Sequence, residues 1–128
     1  FEKQELVKNK KQIDKNIINK GFLVVDARSR SRFKGEEPEP RKGLRSGSIP
    51  NSLCLPFKEC INEDHTFKKK KELLTKFKSI LGDELTENVV FSCGSGVTAS
   101  VLALAYSLIN NKYVPTIYDG SWSEYGKL

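Results

Sequence analysis

The sequence contains no methionine, one histidine, one tryptophan and only three cysteines in 128 residues. Three is an odd number of cysteines, and their spacing fits no Cys-x-x-Cys metal pattern. A disulfide framework and a structural metal site are therefore not expected. Cysteine usage of this kind is typical of a reducing compartment, so we expect a cytoplasmic or mitochondrial protein.

Long apolar runs are missing as well. No segment approaches the roughly 18 apolar residues that a membrane-spanning helix requires, so we expect no membrane partner. The length of 128 residues predicts one domain, 1–128. Because the chain lacks methionine and begins at Phe1, we expect a piece of a longer protein or a processed chain, and the absence of a targeting segment says nothing about location.

The charge is unbalanced, with a net value of +6. Lysines cluster at 8–20 and at 68–71, on segments whose patterns predict exposed helix faces. Aromatic residues are not interleaved with these lysines, so the pattern does not favour a nucleic-acid partner. We interpret both clusters as solvated surface, with a mild attraction for anionic substrates or acidic proteins.

Strand-like apolar runs alternate with helical patterns along the chain. The predicted strands are 21–26, 52–55, 88–92 and 115–118, and the clearest predicted helices are 71–81 and 99–110. This alternation predicts an α/β domain of three layers, with a central parallel sheet flanked by helices. Ligands of such sheets bind beyond the carboxyl ends of the strands, where Asp26, Cys93 and Asp119 are expected. The segment 34–48 lacks periodicity and is predicted to be a long, functional loop.

The most informative segment is Cys93-Gly94-Ser95-Gly96-Val97-Thr98, which separates a predicted strand from a predicted helix. Backbone N–H groups of such a loop and the positive end of the helix dipole stabilise an anion. We therefore expect Cys93 to be a thiolate nucleophile, with Gly94 and Gly96 allowing the loop to fold tightly around it. The alternative is a buried structural cysteine, which the glycines, the hydroxyls and the helix start disfavour.

Two further motifs accompany this loop. The first is Val25-Asp26-Ala27-Arg28, followed by Arg32-Phe33-x-Gly35-x-x-Pro38-Glu39-Pro40-Arg41, and the second is Tyr118-Asp119-Gly120-Ser121-Trp122. In this order the three motifs resemble the C-terminal, catalytic domain of two-domain sulfurtransferases of the rhodanese superfamily, over about residues 22–125. The resemblance implies a rhodanese-like fold, no metal or organic cofactor, and an N-terminal rhodanese domain in the same chain.

Within that superfamily, Gly94-Ser95-Gly96 resembles the loop of the 3-mercaptopyruvate sulfurtransferase branch, whereas thiosulfate-preferring enzymes carry Arg and Lys there. The same resemblance assigns Arg32 and Arg41 to the carboxylate of the substrate. The assignment is physically reasonable, because an α-keto carboxylate suits planar donors that are always charged. The alternative for both arginines is a surface or loop-anchoring pair with Glu36, Glu37 or Glu39.

The resemblance implies nucleophilic catalysis through a Cys93 persulfide. A small-molecule sulfur donor loads Cys93, and a thiol acceptor such as thioredoxin or a small thiol, or cyanide in the laboratory, removes the outer sulfur. Ser95 is expected either to help polarise the substrate or to shape the loop, and Thr98 to cap the helix or brace the loop.

The remaining candidate residues are expected to have structural rather than catalytic roles. Asp26 and Arg28 are expected to brace loops, Asp119 and Trp122 to pack the closing motif, and His65 to be exposed. Cys54 and Cys60 are interpreted as packing residues, with Cys60 alternatively a resolving thiol for Cys93.

The sequence disfavours three other functions. A cysteine-dependent phosphatase requires an arginine six positions after the cysteine, where this chain has Ala99. A P-loop is excluded because 94–100 contains no lysine. A non-catalytic rhodanese-like binding module commonly loses the cysteine, which this chain keeps.

The run Gly47-Ser48-Ile49-Pro50 departs from the family, which commonly has histidine in place of Ser48.

Overall fold

The structure is a computed structural model that describes residues 6–40, 42–94, 97–118 and 120–127. The strands are β1 (Leu6–Lys8), β2 (Leu23–Asp26), β3 (Leu53–Cys54), β4 (Val89–Ser92) and β5 (Thr116–Tyr118). The α-helices are α1 (Lys10–Asn19), α2 (Arg30–Phe33), α3 (Lys70–Leu81), α4 (Val97–Ile109) and α5 (Ser121–Tyr125), and one 3-10 helix spans Phe57–Cys60. Among the described residues, no helix is long and apolar enough to cross a membrane.

The five strands form one sheet in the order β1-β5-β4-β2-β3, and every strand pair is parallel. The prediction of a parallel α/β domain is therefore confirmed. All four residues of β4 are buried, as expected for an inner strand covered on both faces. Asp26 is in register with Ser92 on one side and with Cys54 on the other, so the carboxyl ends of β2, β3 and β4 lie at the same edge.

Each face of the sheet has its own apolar core. On one face, Phe77 from α3 and Tyr106 from α4 pack with Phe91 of β4 and Tyr113 of the loop before β5, and the contacting rings have centroids 4.7 to 6.1 Å apart. On the other face, Ile13 from α1 and Trp122 from α5 pack on Val24 and Val90. Neighbouring residues of β4 contribute to opposite cores because side chains alternate along a strand. The helices on both faces produce the three predicted layers.

The element boundaries differ slightly from the predictions. Strand β2 begins at Leu23 rather than at Gly21, because the Asn16 side chain holds both backbone groups of Phe22 at 2.8 and 2.9 Å. Helix α4 begins at Val97, two residues earlier than predicted. Strand β3 is reduced to two residues, and Pro56, which has no N–H to donate, follows shortly after it. The short elements β1, α2 and α5 carry too few residues for a periodic pattern.

The predicted loop over 34–48 contains no helix or strand in its described parts, 34–40 and 42–48. Gly35 and Gly47 have φ of 77° and 114°, a conformation that favours glycine. The Cα of Gly47 lies 3.4 Å from the position that a Cβ on Gly35 would occupy, so the loop closes tightly on itself. This loop therefore returns to the sheet edge and brings Glu39 to the carboxyl end of β2.

Candidate active site

Cys93 follows the last residue of β4, at the predicted end of a central strand. Its exposed fraction is 1%, and it belongs to the core on the α3–α4 face. Its neighbour Gly94 lines a cleft at the carboxyl edge of the sheet, so residue 93 is adjacent in the chain to this cleft. The side chain of Cys93 is shielded from bulk water.

A buried serine holds the backbone of Cys93. The N–H of Cys93 donates to Ser121 Oγ at 3.0 Å, and the Ser121 hydroxyl donates to the Tyr118 carbonyl at 2.7 Å. The Cys93 sulfur lies 4.0 Å from Ser121 Oγ. Ser121 is fully buried and has φ of 50°, a left-handed conformation that is uncommon for a residue other than glycine. The sequence pattern alone does not predict a role for Ser121. Its place after the neighbouring strand β5 was the available signal.

The start of α5 adds two backbone contacts to this arrangement. Trp122 N–H donates to the Cys93 carbonyl at 2.9 Å, and Ser123 N–H donates to the Gly94 carbonyl at 2.8 Å. The closing motif 118–122 therefore sets the position of the cysteine as well as packing the core with Trp122. Two motifs that lie far apart in sequence are thus joined by hydrogen bonds at the end of β4.

Replacing Ser121 by alanine should slow persulfide formation on Cys93 and lower the free energy of unfolding by about 1–3 kcal/mol, because the hydrogen bond from the buried Cys93 N–H to Ser121 is lost. Alanine keeps the Cβ, so the backbone conformation is not relieved by the change. Ser123→Ala is the matched control, since its hydroxyl donates to the carbonyl of Gly120, the residue just before α5, at 2.7 Å. Rapid-quench mass measurements give the rates, and equal rates in the two variants would contradict a role of Ser121 in positioning the sulfur.

The cleft beside Cys93 has a volume of about 500 Å³. Its lining combines cationic, acidic and apolar groups: Ala27, Arg28, Ser29, Arg32, Glu39, Pro40, Leu44, Pro56, Phe57, Lys58, Gly94 and Thr98. These residues come from the carboxyl ends of β2 and β4, from the segments that follow β2 and β3, and from helices α2 and α4. The cleft suits a small anionic molecule with one polar and one apolar side.

Four charged residues of alternating sign run from the end of β2 to this cleft. Arg28 binds Asp26 through Nε at 2.9 Å and Nη2 at 2.7 Å, and its Nη2 also donates to the Gly47 carbonyl at 2.6 Å. Arg28 Nη1 lies 3.3 Å from Glu39 Oε1, and Glu39 binds Arg32. The prediction that Asp26 and Arg28 brace loops is consistent with these contacts.

Arg32 is both a cleft residue and an ion-pair partner. Its Nε and Nη2 donate to the two carboxylate oxygens of Glu39 at 2.9 and 2.7 Å. Of the three acidic partners considered for it, the structure places Glu39 there. The side chain of Arg32 remains 26% exposed, against 1% for Glu39. Because Arg32 also lines the cleft, pairing with Glu39 leaves part of this side chain accessible.

Burial alone would raise the pKa of Glu39, but the hydrogen bond from Arg32 and the charges of Arg28 and Arg32 outweigh it and hold the pKa below its usual range. The same pair raises the pKa of Arg32. Glu39 is therefore ionised across the neutral range. Its ionisation stabilises the fold above the unfolded carboxyl pKa of about 4.3, and this contribution is lost as the pH falls through the lower folded value.

Gly94 allows Arg32 to approach the loop that contains Cys93. A Cβ at Gly94 would lie 3.0 Å from Arg32 Nη2, closer than carbon and nitrogen normally pack. The absence of a side chain at position 94 therefore determines where the guanidinium can lie. This contact links the Gly-Ser-Gly loop to the predicted carboxylate-binding arginine.

Replacing Gly94 by alanine should push the Arg32 guanidinium out of its place and raise the KM for an α-keto acid donor about five- to tenfold, a cost near 1–1.4 kcal/mol. Gly21→Ala is the control, since its Cβ would meet only Asn16 Oδ1 at an ordinary 3.8 Å. Steady-state kinetics of both variants test the prediction. An unchanged KM in the Gly94 variant would show that the Arg32 position does not control donor binding.

The other two cysteines do not share the predicted role of Cys93. Burial raises the pKa of Cys54 and of Cys60 to about 11, so both are neutral thiols at physiological pH. Cys60 is fully buried in the α3–α4 core. Both observations favour the interpretation as packing residues over a resolving role for Cys60.

Several predicted residues remain to be placed. Ser95, Gly96, Arg41 and Asp119 lie outside the described residues. Val97 is the first residue of α4, so Thr98 lies inside the first turn and lines the cleft rather than capping the helix. His65 is exposed. No cluster of possible metal ligands occurs among the described residues.

The fold and this site define a rhodanese-like domain, and the chain belongs to that family: the family model matches residues 9–128. Among known proteins the chain is similar to thiosulfate/3-mercaptopyruvate sulfurtransferase 1, mitochondrial, of Arabidopsis thaliana, with 41% identity over 89% of this chain and 30% of that protein. It is also similar to human 3-mercaptopyruvate sulfurtransferase, with 40% identity over 93% of this chain and 39% of that protein.

A solved structure agrees with these relatives. The crystal structure of SseA from Escherichia coli, described as a 3-mercaptopyruvate sulfotransferase, superposes with a TM-score of 0.70 at 32% identity, covering 93% of this chain and 43% of that one. The chain thus spans less than half the length of each of these relatives.

Proposed function

We propose that this chain is the catalytic domain of a sulfurtransferase that moves sulfur from 3-mercaptopyruvate to a thiol acceptor through a persulfide on Cys93. The observation that carries the proposal is the juxtaposition of a buried cysteine at the end of β4 with an arginine-lined cleft. The names of the relatives support the reaction class. Because the chain covers only part of each relative, the activity belongs to the proposal.

In the first half-reaction the Cys93 thiolate attacks the sulfur of the donor. A new S–S bond forms while the C–S bond breaks, and the electron pair leaves with pyruvate enolate, which takes up a proton. In the second, an acceptor thiolate attacks the outer sulfur and the Cys93 thiolate is regenerated. No net oxidant is needed, so neither a metal nor an organic cofactor has a task in this scheme.

The choice of 3-mercaptopyruvate over thiosulfate rests on the cleft. A carboxylate is planar and accepts two parallel N–H groups, which the exposed part of Arg32 offers. Gly94 leaves this arginine room beside Cys93. Arg41 is proposed as a second carboxylate ligand, and Ser95 as a loop hydroxyl near the reacting sulfur. A thiosulfate-preferring enzyme is the competing assignment, since one relative carries both donors in its name.

The neighbouring domain, the sulfur acceptor and the compartment are proposed from the same resemblance to two-domain sulfurtransferases. The chain is proposed as the C-terminal domain of a longer protein, packed on an N-terminal rhodanese domain that helps to enclose the cleft. Thioredoxin or a small thiol would accept the sulfur in the cytoplasm or the mitochondrion, and one relative is named as mitochondrial. No nucleic acid or membrane takes part in the proposed reaction.

The test is intact mass spectrometry after incubation with 3-mercaptopyruvate or, separately, with thiosulfate, followed by peptide mapping. One added sulfur on Cys93, formed faster with 3-mercaptopyruvate, is the expected result. Faster loading by thiosulfate would reassign the donor. If the complete natural protein, shown to be folded, gains no sulfur from either donor, the chain is a binding module and the enzymatic proposal fails.

A further inference from the structure

The guanidinium of Arg32 has two edges that can each bind a carboxylate. Glu39 occupies the inner edge, formed by Nε and Nη2, with both of its oxygens. The outer edge, formed by Nη1 and the second hydrogen of Nη2, makes no hydrogen bond to any other described residue. Because Arg32 lines the cleft, this outer edge is the part available to a ligand.

Glu39 is itself held rigidly. Its side chain is 1% exposed, and Oε1 is shared between Arg32 at 2.7 Å and Arg28 at 3.3 Å. Arg28 is also only 1% exposed in its side chain and is fixed by Asp26 and by the Gly47 carbonyl. Arg32 is therefore paired with a buried carboxylate that is itself anchored, so its planar group should lose little further freedom when a ligand binds.

Glu39 also sets the charge of the cleft. The cationic residues that line it are Arg28, Arg32 and Lys58, and Glu39 is the only acidic one among the described lining residues. Asp26 compensates Arg28 from behind. One negative charge beside Arg32 weakens the attraction for a compact dianion more than for a monoanion, since the Coulomb energy scales with ligand charge.

We propose that Glu39 is a positioning and specificity-determining residue: by holding the inner edge of Arg32 it aims the outer edge into the cleft, and it thereby selects donors with one planar carboxylate over compact dianions. This inference rests on the proposed function. Glu39 acts only through Arg32 and touches no reacting atom. The donor class it favours is an α-keto acid that carries a thiol.

The test compares two donors that differ in the relevant chemistry, 3-mercaptopyruvate with its carboxylate and thiosulfate without one. In Glu39→Gln, measured in the complete natural protein, kcat/KM for 3-mercaptopyruvate should fall about tenfold, mainly through KM. The value for thiosulfate should stay the same or rise, because the charge of Arg32 is no longer offset by a neighbouring carboxylate. Glu59→Gln is the matched control, since Glu59 pairs with Arg30 and Lys76 outside the cleft, and it should change the donor ratio less than twofold.

If Glu39 served stability alone, its replacement would lower kcat/KM equally for both donors, and that outcome would overturn the inference. Glu39→Asp, which keeps the charge but draws the carboxylate back by one methylene, is the second variant if the glutamine variant fails to fold, and it should shift the ratio in the same direction. In an Arg32→Lys background, Glu39→Gln should no longer lower kcat/KM for 3-mercaptopyruvate, because lysine has no second edge to aim, and only the charge effect on thiosulfate should remain. Absence of persulfide in the wild type with both donors would instead refute the proposed function.

Discussion

Replacing Cys93 by serine is expected to abolish sulfur transfer, with a loss of at least about a thousandfold in rate, while the fold is retained. A serine hydroxyl is neutral at pH 7 and forms no persulfide, so the first half-reaction has no nucleophile. The change in size is small, and the buried N–H of residue 93 keeps its bond to Ser121, so circular dichroism and the unfolding midpoint should stay close to the wild type. Single-turnover mass measurements with each donor test both statements.

Cys54→Ser is the control for general effects of thiol loss. Cys54 is half-buried, and its neutral thiol lies 3.5 Å from the Arg28 carbonyl, outside the cleft lining. This variant should load one sulfur at the wild-type rate. Sulfur transfer that persists in the Cys93 variant but disappears in the Cys54 variant would contradict the assignment and identify Cys54 as the nucleophile.

The sequence allowed the sheet and the cysteine to be predicted because both depend on local patterns. Strand β4 is a continuous apolar run, as a strand buried on both faces should be, and the glycines after Cys93 mark a tight turn into α4. Short elements escaped prediction for the opposite reason. Helix α2 has four residues and strand β1 has three, too few for any periodicity to emerge.

The partner of Arg32 could not be chosen from the sequence. Glu36, Glu37 and Glu39 all lie within seven residues of it, and composition does not distinguish them. The loop brings only Glu39 between Arg28 and Arg32, and that placement depends on the tight approach of Gly35 to Gly47. The role of Ser121 could not be predicted for a similar reason, since its hydrogen bond to Cys93 joins residues that are 28 positions apart.

The other large effect is expected from Arg28, which lies at the centre of the charged chain. Replacing it by methionine should lower the free energy of unfolding by about 3–5 kcal/mol, because Asp26 and Glu39 keep buried carboxylates that have lost a cation. Methionine retains an apolar stem against Trp122, over whose ring the Arg28 guanidinium lies at 4.8 Å, so little of the loss comes from packing. Urea unfolding at pH 7 measures the difference.

Arg30→Met is the matched control, with the same chemical change in an exposed pair. The Arg30 side chain is 52% exposed and binds Glu59 at the surface, so its loss should cost at most about 1 kcal/mol. The Arg28 effect should also shrink as the pH falls from 7 towards 4. Without Arg28 the pKa of Glu39 rises, the native variant takes up a proton more readily, and a protonated carboxyl needs no cation. Equal costs in the two variants, or a gap that widens on acidification, would show that the buried chain does not hold the loop that carries Glu39.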